Sequence, residues 1–472
     1  MKKVAIVGGG IAGSSIALHL AQLGVSVELF ETKESLISGP PFCHLHAGGN
    51  LYREIDDNQC IKLLEQSIDF IKLYPFAIDY RPTLITVPKD DEHKATQLLE
   101  RLKIVQKRYQ ELVDIDNSNR LLGEPSDYYK LYSYEEMKAL SKEKPKKNPS
   151  TADEWMIPVA KYVDLEKLQY PLVLVQEYGI NMFQVASMVE LSLQKLQTVS
   201  LHLKREVIDI KYHKDIWYIT SKHDNQIETS EYDYLINSAG FQTGRIDDML
   251  GILNPRMVEF KSAYVTKWSD APALFPEIIF HGKRGTPKGM GQFTPYMSKH
   301  FQLHGMSKEI TLFEDGLVSS KDDTSQPQLP EHLIEKIQSS WQEDEIKIRT
   351  ARAISHIAEF IPSFKSAKVA SLPLFGAQQI IGDDPELRVA EVSFATNRYA
   401  RCEIVKVSSV TDMSNAIIED IKHYNIIPKG LDARKYIDIF AMIDTQELNT
   451  LAQDIAEHRG YPRDMALLIN PN

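Results

Sequence analysis

An α/β fold in two unequal regions, a Rossmann-like nucleotide-binding unit and a second, mainly antiparallel β-sheet region, is predicted by three features of the sequence. Residues 4–31 carry an apolar β-type run, helically spaced apolar residues and a second alternating run, in about the length a βαβ unit needs. Between Met257 and about Thr350 strand signals dominate, which predicts a largely antiparallel sheet. At 472 residues the chain also exceeds what one hydrophobic core usually supports.

The first strand is Val4-Ala-Ile-Val7, and apolar residues at Ile11, Ala12, Ile16, Leu20 and Leu23 then share a helical face closed by Gly24. Val25 to Glu31 alternates as a second strand. Cys60 to Tyr74 has helical spacing, Leu84 to Val87 is strand-like, and Glu92 to Val113 is a long charged amphipathic helix. The Lys-rich stretch Glu135 to Pro149 is a solvated domain edge. Val185 to Leu196 is helical, Glu206 to Ile210 and Trp217 to Thr220 are strands, and Tyr234 to Asn237 runs into Ser238-Ala239-Gly240. Lys261 to Trp268, Glu277 to His281 and Phe301 to Phe313 supply the second region's strands, and Leu387 to Phe394 and Glu403 to Val407 return the chain to the first. Ser409 and Asp412 stand at capping-box spacing before an apolar helix, Met413 to Ile421. Residues 1–75, 151–256 and 351–429 are thus assigned to the nucleotide unit, 76–150 and 257–350 to the substrate region, and 430–472 to a polar, mainly helical C-terminal tail.

The formal charge is −11, from 54 Lys and Arg against 65 Asp and Glu. Nucleic-acid affinity rests on concentrated positive charge, so this balance argues against such a partner. Three scattered cysteines, Cys43, Cys60 and Cys402, make neither a disulfide framework nor a metal knuckle, so a reducing cytoplasm and no metal are expected. The apolar start is cut at once by Gly8-Gly9-Gly10, a strand rather than an export signal. No window reaches the ~18 apolar residues a membrane span requires, a test that is blind to peripheral membrane contact.

Gly8-Gly9-Gly10-Ile11-Ala12-Gly13 fits G-x-G-x-x-G between a strand and a helix. Gly8 permits the tight turn, Gly10 lets backbone approach a pyrophosphate, and Gly13 lets the helix pack close to the sheet. The N–H groups that open the helix at Ile11 and Ala12 offer partial positive charge to a diphosphate. Glu31, with Thr32 beside it, ends the second strand where a carboxylate accepts hydrogen bonds from an adenosine ribose. The fingerprint specifies an adenine dinucleotide and leaves FAD and NAD both open.

Val207 within the strand Glu206 to Ile210, then Trp217 to Thr220, then Tyr234-Leu-Ile-Asn-Ser-Ala-Gly-Phe241, form a succession that resembles the FAD-dependent oxidoreductases of the D-amino-acid-oxidase type. The resemblance covers most of residues 1–55 and 175–245, with weaker echoes to about residue 425. It implies FAD as cofactor, an adenine contact at Val207 and a turn beside the cofactor at Ser238, Ala239 and Gly240. His46-Ala47-Gly48-Gly49 is similar to the His-Ala-Ala-Gly run of dimethylglycine and sarcosine dehydrogenases, whose histidine is bonded to the flavin. The resemblance therefore raises a covalent tether at His46, against a histidine that packs near the ring. It also implies a helix amino terminus aimed at the flavin pyrimidine carbonyls after Lys406, Ser408 and Ser409, although the glycines usual at that turn are missing.

Flavin performs the hydride acceptance, so the protein must orient substrate and exclude competing reactions. His300, Gln302 and His304 share one strand face by period-two alternation, and His304 or His300 is the candidate group to take a proton from a hydroxyl or amine. Arg352, Arg398 and Arg401 are candidate clamps for a substrate carboxylate. The reading is an FAD-dependent oxidoreductase acting on a small amine, amino acid or 2-hydroxy acid, with oxygen or quinone as acceptor. The alternatives are a malate:quinone-type peripheral membrane dehydrogenase and a flavin-containing RNA-modifying or accessory protein.

Overall fold

The computed structural model describes residues 2–39, 45, 55–427 and 439–469. In its first sheet six strands lie in the order Val392–Thr396, Tyr399–Cys402, Tyr234–Asn237, Lys3–Val7, Ser26–Phe30, Val199–His202. All neighbours run parallel except the edge pair Val392–Thr396 with Tyr399–Cys402. Alternation sorts the central strand between two layers. Val4 and Ile6 pack with the helices Ile11–Gln22, Met182–Lys195 and Val410–His423. Ala5 and Val7 pack instead with Val207, Ile210, Trp217 and Ile219 of a three-stranded antiparallel sheet, Glu206–His213, Ile216–His223 and Gln226–Tyr232. Gly24, with φ +72°, ends the first helix in the left-handed conformation.

The second sheet has ten strands. Its long member, Arg256–Lys267, pairs antiparallel with His300–Gly305, Leu317–Ser319 and Leu374–Ile381. The sheet continues through Gly291–Pro295, Glu277–Phe280, Thr83–Thr86, Leu172–Val175 and Tyr129–Tyr132, antiparallel but for the pair Glu277–Phe280 with Thr83–Thr86. Leu172–Val175 and Leu374–Ile381 fall inside spans assigned by sequence to the nucleotide unit, and a division by sheet membership places them with the second. The helix Thr445–His458 is docked on Met182–Lys195: Ser187 Oγ donates to the Leu448 carbonyl at 2.8 Å and Gln184 Nε2 to that of Ala466 at 2.6 Å. Among the described residues no helix is long and apolar enough to cross a membrane.

Three local expectations are corrected. The strand expected over Phe301 to Phe313 stops at Gly305, because the Gly305 N–H donates to Thr311 Oγ1 at 3.0 Å and the Leu312 N–H to the Ser307 carbonyl at 3.0 Å. That closes a turn, and Ile310 and Leu312 are buried without a ladder. The strand expected over Glu403 to Val407 lies earlier, at Tyr399–Cys402, whose parallel partner Tyr234–Asn237 ends opposite Arg401. Nor does the capping box form: Ser409 Oγ donates to Gln66 Oε1 at 2.9 Å, and the Asp412 carboxylate takes Lys62 at 2.8 Å and Gln66 Nε2 at 3.0 Å.

The two sheets are joined by a buried ionic network. Arg256 of the second sheet reaches Asp247 at 3.1 Å and Glu403 at 3.1 Å, and Arg401 of the first reaches Asp247 at 3.0 Å. Tyr399 Oη donates to the other Asp247 oxygen at 2.7 Å. Two guanidiniums thus face two carboxylates, a balanced set that the interior tolerates because each charge is paired.

Burial of His19 on the first helix lowers its pKa from 6.5 to about 4. Below pH 6.5 the unfolded chain binds a proton that the folded chain refuses, so stability present above 6.5 declines as pH falls toward 4, by up to about 3 kcal/mol. We expect the thermal midpoint to fall over this window and His19→Gln to flatten the fall. Identical slopes in the two proteins would remove His19 as the cause.

Candidate functional site

A cavity of about 780 Å³ lies between the sheets, running from the glycine turn after Val7 to His304 on the second sheet. Its shape at the first end follows from the glycines. Gly8 has φ +102°, and a Cβ there would stand 2.4 Å from the Ser238 carbonyl oxygen. A Cβ on Gly13 would stand 1.9 Å from the Gly8 carbonyl oxygen and 2.4 Å from Ser238 Oγ, so this glycine lets the helix meet the turn. A Cβ on Gly10 meets nothing within 4 Å, because Gly10 borders the open cavity. Gly10 is also the helix N-cap; no side chain caps it and the first turn holds no acid. The opening N–H groups and the helix dipole therefore face the cavity, which suits a phosphate group.

Glu31 fixes the turn from the other side. One carboxylate oxygen accepts the Gly9 N–H at 2.7 Å, and the other accepts the Lys33 N–H at 2.7 Å and Thr32 Oγ1 at 3.2 Å. Glu31 also lines the cavity, and a carboxylate has lone pairs beyond those three bonds for sugar hydroxyls. Val207 forms an apolar wall nearby, Ala239 and Gly240 border the middle, and Ile334 and Ile337 of the helix Glu331–Gln338 cover the same end from the second region. The dimensions and donors fit an extended adenine dinucleotide.

The cavity gathers Gly8, Gly10, Ile11, Ala12, Glu31, Thr32, Val207, Ser238, Ala239, Gly240, His304, Lys406 and Ser408 from six separate stretches of sequence. Gly13 lies behind the turn, and Ser409 is buried against Gln66. His46, Ala47, Gly48 and Gly49 lie outside the described residues, and the tether at His46 with them. His300 does not line the cavity; its Nδ1 lies 3.1 Å from the Met297 carbonyl, and burial lowers its pKa. It shares a face with His304, but four residues of strand separate them by roughly 13 Å. The three arginines clamp nothing there: Arg352 pairs with Glu309 at the surface, Arg398 stacks on Tyr424, and Arg401 belongs to the buried network.

At the second end His304 stands beside Gln292 of the adjacent strand. Gln292 Nε2 donates to Glu277 Oε1 at 2.8 Å, and Glu277 Oε2 is paired with Arg81 at 3.2 Å. Lys261, Gln378 and Arg388 complete this end. None of these last three was expected from sequence. The signal was Val258-Glu-Phe-Lys261: acid and base alternate with apolar residues, so one face of a buried strand carries charge.

Comparison with known proteins gives a consistent picture. A family model described as FAD dependent oxidoreductase, DAO, matches residues 3–389. The fold is similar to glycine oxidase from Geobacillus kaustophilus, at TM-score 0.57 and 12% identity over 92% of this chain and 98% of that one. It is similar to L-proline dehydrogenase from P. horikoshii, at TM-score 0.55 and 14% identity over 89% and 93%. Dithionite-reduced L-alpha-glycerophosphate oxidase from Mycoplasma pneumoniae, with FAD bound, superposes at TM-score 0.56 and 14% identity over 89% and 95%. Among curated proteins no sequence matches.

Proposed function

Because the chain belongs to the DAO family of FAD dependent oxidoreductases, we propose that it takes a hydride from a small amine, amino acid or 2-hydroxy acid, with the reacting carbon held at the His304 end of the cavity. The supporting observation is the continuity of that cavity: one space joins the diphosphate cradle at Gly8 and Gly10 to His304 and Gln292 on the other sheet. When bound, FAD supplies the hydride acceptor. The turn 8–10 and the opening of the first helix would hold its diphosphate, Glu31 and Thr32 its ribose, and Val207 its adenine. Lys406 and Ser408, which line the same cavity, would border its flavin end. His304 takes the proton that leaves the substrate hydroxyl or amine, and Gln292, its amide oriented by Glu277, positions the substrate polar group. The two sheets enclose the reacting atoms and limit water.

The test is anaerobic bleaching of the flavin band of the purified, flavin-loaded protein by a panel of amines, amino acids and 2-hydroxy acids. One member is expected to bleach it within turnover time. A protein that is colourless and takes up no added FAD would overturn the reading.

A further inference from the structure

Charge at the second end of the cavity does not balance. Glu259 and Lys261 project from the same face of the strand Arg256–Lys267, with Lys261 Nζ 2.8 Å from Glu259 Oε2. The other Glu259 oxygen accepts from Arg284, so each oxygen of this carboxylate already has a cation. Arg388, from the loop after Leu374–Ile381, lies close enough to act on both. Its Nη1 donates to the backbone carbonyls of Pro385 and Leu387 at 3.0 Å each, and among the described residues it has no carboxylate partner. Among the described residues three cations therefore act on one carboxylate, a surplus of two positive charges in a part-buried corner, whereas the Arg256 network is neutral. Burial holds the Lys261 ammonium below the ordinary lysine range, Glu259 opposes this, and Arg284 and Arg388 add repulsion.

Donor geometry points the same way. Of the three Lys261 N–H groups, one goes to Glu259 and one to Gln378 Oε1 at 3.1 Å, and the side chain borders the cavity with Arg388. We propose that this corner is a subsite for a small dianionic substrate, one carrying a second carboxylate or a phosphate monoester. Buried surplus charge is costly unless paired, and a dianion cancels both charges where a monoanion cancels one. The guanidinium of Arg388 and the free donor of Lys261 supply charge-assisted hydrogen bonds to its oxygens. This inference rests on the oxidoreductase reading above.

The experiment titrates the full, flavin-loaded chain with malonate, inorganic phosphate and acetate at fixed ionic strength, reading the flavin absorption band and the thermal midpoint. Malonate or phosphate is expected to bind at least about tenfold more tightly than acetate. Tighter malonate identifies a dicarboxylate site, tighter phosphate a phosphate-ester site. Lys261→Met and Arg388→Gln should each erase the preference while retaining bound FAD; if Lys261→Met fails to fold, Arg388→Gln, whose partners are backbone carbonyls, decides alone. Equal binding of all three anions by the wild type, or a preference that survives Arg388→Gln, overturns the proposal. A flavin-loaded protein indifferent to dianions defeats this inference only; a protein that takes up no flavin defeats the oxidoreductase reading, while the midpoint shift still reports on the subsite.

Discussion

Gly13→Val is expected to yield a destabilised protein whose affinity for FAD is at least ~10³-fold weaker, a loss of about 4 kcal/mol. Its Cβ would fall 1.9 Å from the Gly8 carbonyl oxygen and 2.4 Å from Ser238 Oγ. Neither neighbour can yield: the Gly8 N–H is bonded to the Phe30 carbonyl at 2.8 Å, and Ser238 Oγ bridges the Val7 and Gly8 carbonyls at 2.9 and 2.7 Å. The helix Ile11–Gln22 must therefore shift from the sheet and carry its N–H groups away from the diphosphate position. Gly10→Val is the informative contrast, because its Cβ meets nothing within 4 Å in the protein but enters the cavity. It should unfold at the midpoint of wild type stripped of FAD and still fail to bind FAD. Fluorescence titration with FAD and thermal unfolding of both variants check the pair; wild-type FAD affinity in Gly10→Val would show that the diphosphate does not approach this turn.

The contrast explains why the first end of the site was legible in sequence. Turn, helix and flanking strands lie within some thirty residues, and each glycine answers a local steric demand that holds in any chain of this pattern. The second end depends on pairings between distant segments. Leu374-Phe-Gly-Ala-Gln-Gln-Ile-Ile381 has a glycine and two adjacent glutamines in place of alternation, and becomes a strand because Arg256–Lys267 offers it an eight-residue ladder. Glu403 misled in the opposite sense. It follows a strand rather than opening one, buried because Arg256, some 150 residues earlier in sequence, supplies its counter-charge. The arginines were misassigned for a related reason: a guanidinium suits a carboxylate of the protein as well as one of a substrate. Only the fold shows that Arg401 meets Asp247, while Arg388 has no such partner among the described residues.

His304→Ala is expected to slow reduction of bound flavin by substrate at least ~10²-fold in single-turnover measurements, with FAD content and thermal midpoint close to wild type. Substrate oxidation of this type releases a proton as well as a hydride, and among the described histidines His304 alone lines the cavity. Its strand is held rigidly: Gln292, directly opposite, is bonded through Glu277 to Arg81, and Arg81 Nη1 in turn donates to the Pro295 carbonyl at 2.7 Å. The ring is therefore positioned by the sheet, and its removal should leave the sheet intact. His304→Gln separates two roles. Glutamine can orient a hydroxyl or amine but cannot take its proton near neutrality, so a base at this position predicts that His304→Gln is as slow as alanine and that the histidine limb vanishes from the pH profile of the reduction rate. Recovery of most of the rate by glutamine would make His304 a positioning group, and unchanged reduction in both variants would remove it from the chemistry and shift attention to Lys261 across the same cavity end.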